Sequence, residues 1–184
     1  MKLFHISTDL NHCGFFTPSF PLFHLEGEEA TIKRVSTSFS MAGALTAMPR
    51  GGFLLRETLE KNDGLLRIFE LDVFNTDLTP EDLVLPYTLT KKGWVADALV
   101  TEEVWVLKPF QAQRLLDVRV LDWKEYEDDL YPDWLMNKPK NIPVMTVIEN
   151  INIQIIKETI IDEEKELIQQ NVCQSINERN CTTK

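Results

Sequence analysis

The sequence predicts a strand-rich α+β domain with few helices. Runs rich in Val, Ile, Leu and Phe recur along the chain, several of them with a period of two. Helical periodicity is confined to short stretches, residues 41–48 and 162–176 among them. Gly and Pro punctuate the connections between the apolar runs. A chain of 184 residues fits one domain, drawn here over residues 1–176 with a polar tail at 177–184.

Leu3 to Ser7 reads as a short strand. Asn11 to Glu29 mixes Gly14, Pro18, Pro21 and Gly27 with phenylalanines, which is loop chemistry with apolar anchors. Ile32 to Ser38 is a strand, and Ser40 is a good N-cap for a helix from Met41 to Met48. Pro49 and Gly51-Gly52 end that helix. Leu65 to Val73 alternates as a strand. Leu78 to Leu83 carries Thr79-Pro80 at the start of a short helix or turn. Trp94 to Leu99, Glu103 to Leu107 and Leu115 to Leu121 read as strands. Residues 122 to 143, acidic, aromatic and Pro-rich, read as a long loop. Ile142 to Ile156 adds one or two strands, and Asp162 to Ile176 a final helix.

The net charge of −10 argues against nonspecific nucleic-acid binding, which needs basic surface to displace counterions. No apolar run approaches a membrane span, and the N-terminus has no apolar signal core. The three cysteines, Cys13, Cys173 and Cys181, form no Cys-x-x-Cys pair, so free thiols in a reducing, cytoplasmic setting are expected. Cys13 with His12 and His24 matches no zinc-ligand spacing, and no metal is expected. Gly51-Gly52 lacks the Lys-Ser/Thr of a phosphate loop.

The stretch Arg34-Val35-Ser36-Thr37-Ser38 runs straight into the small-residue helix Met41-Ala42-Gly43-Ala44. It resembles the Ser-Thr-Ser strand of ADP-ribosyltransferases of the cholera-toxin type. Thr101-Glu102-Glu103-Val104 resembles the Glu-x-Glu or Gln-x-Glu strand of that superfamily, with Glu103 in the catalytic place. Leu3-Phe4-His5 resembles the first strand of the diphtheria-toxin-like branch, in which a histidine stands where the cholera-type branch has arginine. The set is thus a hybrid, spread over residues 1 to 121.

The resemblance implies a split antiparallel β-sandwich and NAD as a substrate. Cleaving the bond from nicotinamide to ribose develops positive charge on the sugar, and a carboxylate beside the ribose stabilises it. Glu103 takes that role, with Ser36 and His5 as the other catalytic candidates. His5, Arg34, Ser36, Thr37, Ser38 and Arg50 are the candidate NAD contacts, because imidazole and hydroxyl groups orient ribose and guanidinium matches phosphate. Thr101 and Glu102 occupy the places that direct the acceptor. The function implied is mono-ADP-ribosylation of an intracellular protein target, by a bacterial or phage effector in a bacterial or infected host cytoplasm.

A different class remains open beside it: an inactive protein of the same fold that inhibits a host or defence protein. Its docking face would be the acidic, aromatic stretch Asp122 to Asp133. An NAD glycohydrolase or an RNA 2′-phosphotransferase-like activity is a third expectation, the latter weakened by the acidic composition.

Overall fold

A computed structural model describes residues 1–22, 24, 27–48, 57, 59–126 and 147–161. Its centre is an antiparallel sheet of seven strands. In chain order these are β1 (Lys2–Ser7), β3 (Val35–Ser38), β4 (Leu65–Asp72), β5 (Leu83–Val84), β6 (Glu103–Val106), β8 (Arg114–Tyr126) and β9 (Val147–Ile160). Their spatial order is β5-β6-β3-β1-β4-β8-β9. A separate two-stranded ribbon pairs β2 (Phe15–Phe16) with β7 (Phe110–Gln111). The short helices are α1 (Met41–Thr46), α2 (Pro86–Lys91) and α3 (Ala98–Thr101). The architecture is therefore mainly antiparallel β with few helices, as the sequence predicts.

Alternation along the strands gives the sheet two apolar faces. One carries Leu3, Val35, Phe69, Leu71, Val104 and Val106, and the ribbon closes it with Phe16 and Phe110. The other carries Leu66, Ile68, Val118 and Val120, and Leu45 of α1 packs there. Farther along, Leu89 of α2 and Ala98 of α3 bury Trp105. Helices thus cover one face and the ribbon the other.

Ser40 caps α1 as expected, accepting from the Gly43 amide at 3.0 Å. Gly43 is needed for a second reason. A Cβ there would lie 2.4 Å from the Thr101 carbonyl oxygen. Only glycine lets α1 press against the chain that leads into β6.

Several expectations give way to tertiary contacts. Trp94 to Leu99 is a turn followed by α3, not a strand: Val95 and Ala98 fill one cluster with Trp105. A short apolar run does not distinguish these states by itself. The loop expected from residue 122 begins later, because β8 continues to Tyr126 by pairing with β9, with Trp123 opposite Ile151. Cys13 is disulfide-bonded, against the expectation of free thiols; its partner lies outside the described residues. The predicted helix 162–176, the tail 177–184, Arg50 and most of the acidic stretch 122–133 also lie outside them. Among the described residues no helix is long and apolar enough to cross a membrane, and no three His, Cys, Asp or Glu side chains are placed to hold a metal.

Candidate functional site

The three strands singled out by sequence are neighbours in the sheet, in the order β6-β3-β1. The β3–β6 register sets Ser38 opposite Glu103 and Ser36 opposite Trp105. Directly opposed residues project to the same side, so Ser36, Ser38, Glu103 and Trp105 share one face. Phe4 pairs with Ser38, which places Phe4 on that face as well. His5, the next residue, projects to the other.

Glu103 is 7% exposed. The Trp105 indole Nε1–H donates to its Oε1 at 2.7 Å, and the Ser36 side chain is a second hydrogen-bond partner. Burial pushes the Glu103 carboxyl up to about 7. The bonds from Trp105 and Ser36 hold it lower than burial alone would, while Asp97 and Glu28 push it higher by like charge. A carboxyl tuned to neutral pH can both carry charge and hold a proton near physiological conditions.

Ser36 is exposed while Glu103 beside it is buried. The serine is therefore the solvent-facing member of the pair. Its backbone carbonyl meets the third candidate: His5 Nδ1 lies 2.8 Å from the Ser36 oxygen. A carbonyl only accepts, so Nδ1 carries the proton and Nε2 keeps its lone pair. Burial lowers the His5 imidazole to about 4, which keeps it neutral at pH 7. Its ring sits among apolar neighbours, 4.7 Å from Phe16 and 6.2 Å from Phe69 between centroids. The structure thus brings Ser36 and Glu103 together side chain to side chain. His5 joins them only through the β3 backbone, from the opposite face.

The expected phosphate ligand has another occupation. Arg34 is buried, at 5% exposure, and its Nη2 pairs with Glu28 at 2.6 Å. Nη1 donates to the Glu29 carbonyl at 2.7 Å, and the guanidinium lies 3.8 Å over the Trp105 ring. Those contacts engage the guanidinium with Glu28, the Glu29 carbonyl and the Trp105 ring. Thr37 is buried and donates to the Val104 carbonyl at 2.8 Å. Its side chain ties β3 to β6 and faces away from Glu103.

Ser38 is 1% exposed, and its Oγ is buried without a hydrogen-bond partner. Thr101 is buried, donating to the Asp97 carbonyl at 3.3 Å. Glu102 caps α3 in the left-handed region with φ 55°. Its carbonyl accepts from the Phe39 amide at 3.3 Å. This strained turn aims the following residue, Glu103, into the face occupied by Ser36.

Trp105 and Trp94 are not among the sequence candidates, although Trp105 bonds Glu103 and Trp94 stacks on Trp105. Their rings stack at 5.6 Å with 6° between planes, and Lys92 Nζ lies 4.0 Å over Trp94. The signal for Trp105 was present in the sequence. Glu103-Val104-Trp105 in a strand puts the first and third residues on one face. No family model, curated protein or solved structure matches the chain.

Proposed function

We propose that this protein is an NAD-dependent ADP-ribosyltransferase with Glu103 as its catalytic carboxylate, on a fold of the ADP-ribosyltransferase type. One observation carries the reading: a strand glutamate, buried and tuned near pH 7, shares a face with the first serine of Ser-Thr-Ser on the neighbouring strand. The histidine strand lies next in the sheet, so the hybrid motif set occupies adjacent strands.

The chemistry follows from charge. The bond from ribose C1′ to nicotinamide nitrogen breaks, and neutral nicotinamide leaves with the bonding pair. Ionised Glu103 stabilises the oxocarbenium-like sugar. Ser36 holds the carboxylate and offers its exposed hydroxyl to the sugar. An acceptor nucleophile then bonds to C1′ and loses a proton. Neutral His5 lies on the opposite face and supports the site only through the hydrogen bond that its Nδ1–H donates to the Ser36 carbonyl. The side chains offer a sugar one carboxylate and one exposed hydroxyl. They supply no phosphate-binding cation in Arg34, whose guanidinium is already paired. The acceptor is a protein side chain, in a bacterial or infected host cell.

The test is release of nicotinamide from NAD by the full chain, with transfer of labelled ADP-ribose to protein from a bacterial lysate. Release that depends on Glu103 supports the reading. Release without transfer to protein assigns water as the acceptor. A wild-type chain that leaves NAD intact and gives no thermal shift with NAD rejects it.

The closure of Glu103, at 7% exposure, favours a second reading: an inactive member of the fold that docks on a host or defence protein. In that case capture of the partner survives Glu103→Gln, and NAD remains intact.

A further inference from the structure

Among the described residues, the indole N–H of Trp105 donates to Glu103. The ring itself is 0% exposed, so its orientation is set by neighbours. The Arg34 guanidinium lies over it at 3.8 Å. Trp94 stacks nearly parallel at 5.6 Å, and Leu89, Val95 and Ala98 complete the cluster. Arg34 is in turn fixed by Glu28 and two backbone carbonyls. An indole held this firmly presents its N–H in one direction. That direction leads to Oε1.

We propose that Trp105 is the positioning residue of the site, fixing one carboxyl oxygen of Glu103 so that the other is presented to the substrate sugar. The inference rests on the transferase reading above. Trp105 touches no substrate and acts through the carboxylate alone. A carboxylate free to rotate would spread its charge over several orientations. One oxygen tied to an N–H gives a fixed direction of approach and a preorganised charge. A hydrogen bond from a neutral donor favours the ionised form, so Trp105 also keeps Glu103 chargeable in a setting that otherwise opposes it. The opposing groups are Asp97, ahead of α3, and Glu28. Ser36 is the other donor.

The test is a carbon-13 NMR titration of the Glu103 carboxyl in the full-length protein, wild type and Trp105→Phe. Phenylalanine keeps an aromatic ring in the cluster and removes the N–H together with the rest of the five-membered ring. We expect the Trp105→Phe midpoint to rise by about one pH unit, the worth of one hydrogen bond to a charged group. In the NAD assay we expect kcat to fall about tenfold with KM for NAD unchanged. A carboxyl midpoint that does not move in a folded Trp105→Phe variant overturns the proposal. If that variant does not fold, the wild-type indole N–H resonance decides. It should titrate with the Glu103 midpoint and lose this titration in Glu103→Gln; a pH-independent resonance overturns the proposal. Absence of NAD cleavage by wild type rejects the transferase reading, whereas the titrations report on Trp105 whether or not NAD is cleaved.

Discussion

Ser36 stands directly opposite Trp105 on the β3–β6 ladder, and its carbonyl oxygen accepts from His5 Nδ1 at 2.8 Å. One residue thus links the two faces of the sheet. Its side chain belongs to the Glu103 face, and its backbone to the His5 face. Substitutions at Ser36 therefore separate the two links. Ser36→Ala removes the hydroxyl and leaves the carbonyl. We predict a roughly tenfold loss of NAD cleavage, on the order of one hydrogen bond, with the His5 imidazole still neutral by proton NMR. A His5 that becomes protonated near pH 6.5 in Ser36→Ala would contradict this separation.

The opposite cut is His5→Asn, which keeps a side-chain amide donor toward Ser36. Burial lowers the His5 imidazole to about 4 from 6.5. Between these values the native state binds fewer protons than the unfolded chain, so the His5 contribution weakens as pH falls. Relative to wild type, His5→Asn should gain stability on going from pH 6.5 to pH 4. Urea midpoints at the two pH values give the comparison, and a constant difference would refute it.

Glu103 has the reverse sign. Its carboxyl is raised to about 7 from 4.5, so the native state holds the proton longer. Stability from this site is present below pH 4.5 and is lost as pH rises to about 7. A shift of this size corresponds to ~3 kcal/mol over the window. Glu103→Gln should therefore become more stable relative to wild type between pH 4.5 and pH 7, and level off above. A flat difference in guanidinium unfolding would show that the carboxyl titrates normally.

Gly43 tests how the site is built. A Cβ at this position would meet the Thr101 carbonyl oxygen at 2.4 Å, two residues before Glu103. Gly43→Ala must displace α1 or the start of β6. We predict a loss of ~1–3 kcal/mol by chemical unfolding, accompanied by a changed Glu103 titration. A variant as stable as wild type would mean that the two segments separate freely.

Much of this arrangement was legible in the residues themselves. The β-branched Val35–Ser38 and the Leu- and Phe-rich Leu65–Asp72 alternate, and their strands follow. Ser40 before a small-residue helix gave the cap. The β6 strand was readable, and with it the side on which Trp105 falls. What the sequence hid depends on distant partners. Trp94–Leu99 has strand-like composition, yet it turns to lay Trp94 on Trp105. Tyr126 ends a strand only because β9 lies beside it. The pairing of Arg34 with Glu28 at its Nη2 is likewise a matter of loop placement that no local pattern shows. The facing of His5 away from Glu103 is a matter of register, set by the Phe4–Ser38 pair, and register is not visible in a motif.

The most direct measurement is nicotinamide release from NAD by wild type and by Glu103→Gln, with thermal midpoints recorded alongside. The predicted result is release by wild type and a loss of a hundredfold or more in the variant, at equal or greater thermal stability above pH 7. Equal rates in the two proteins, or no release by either, would contradict a catalytic Glu103.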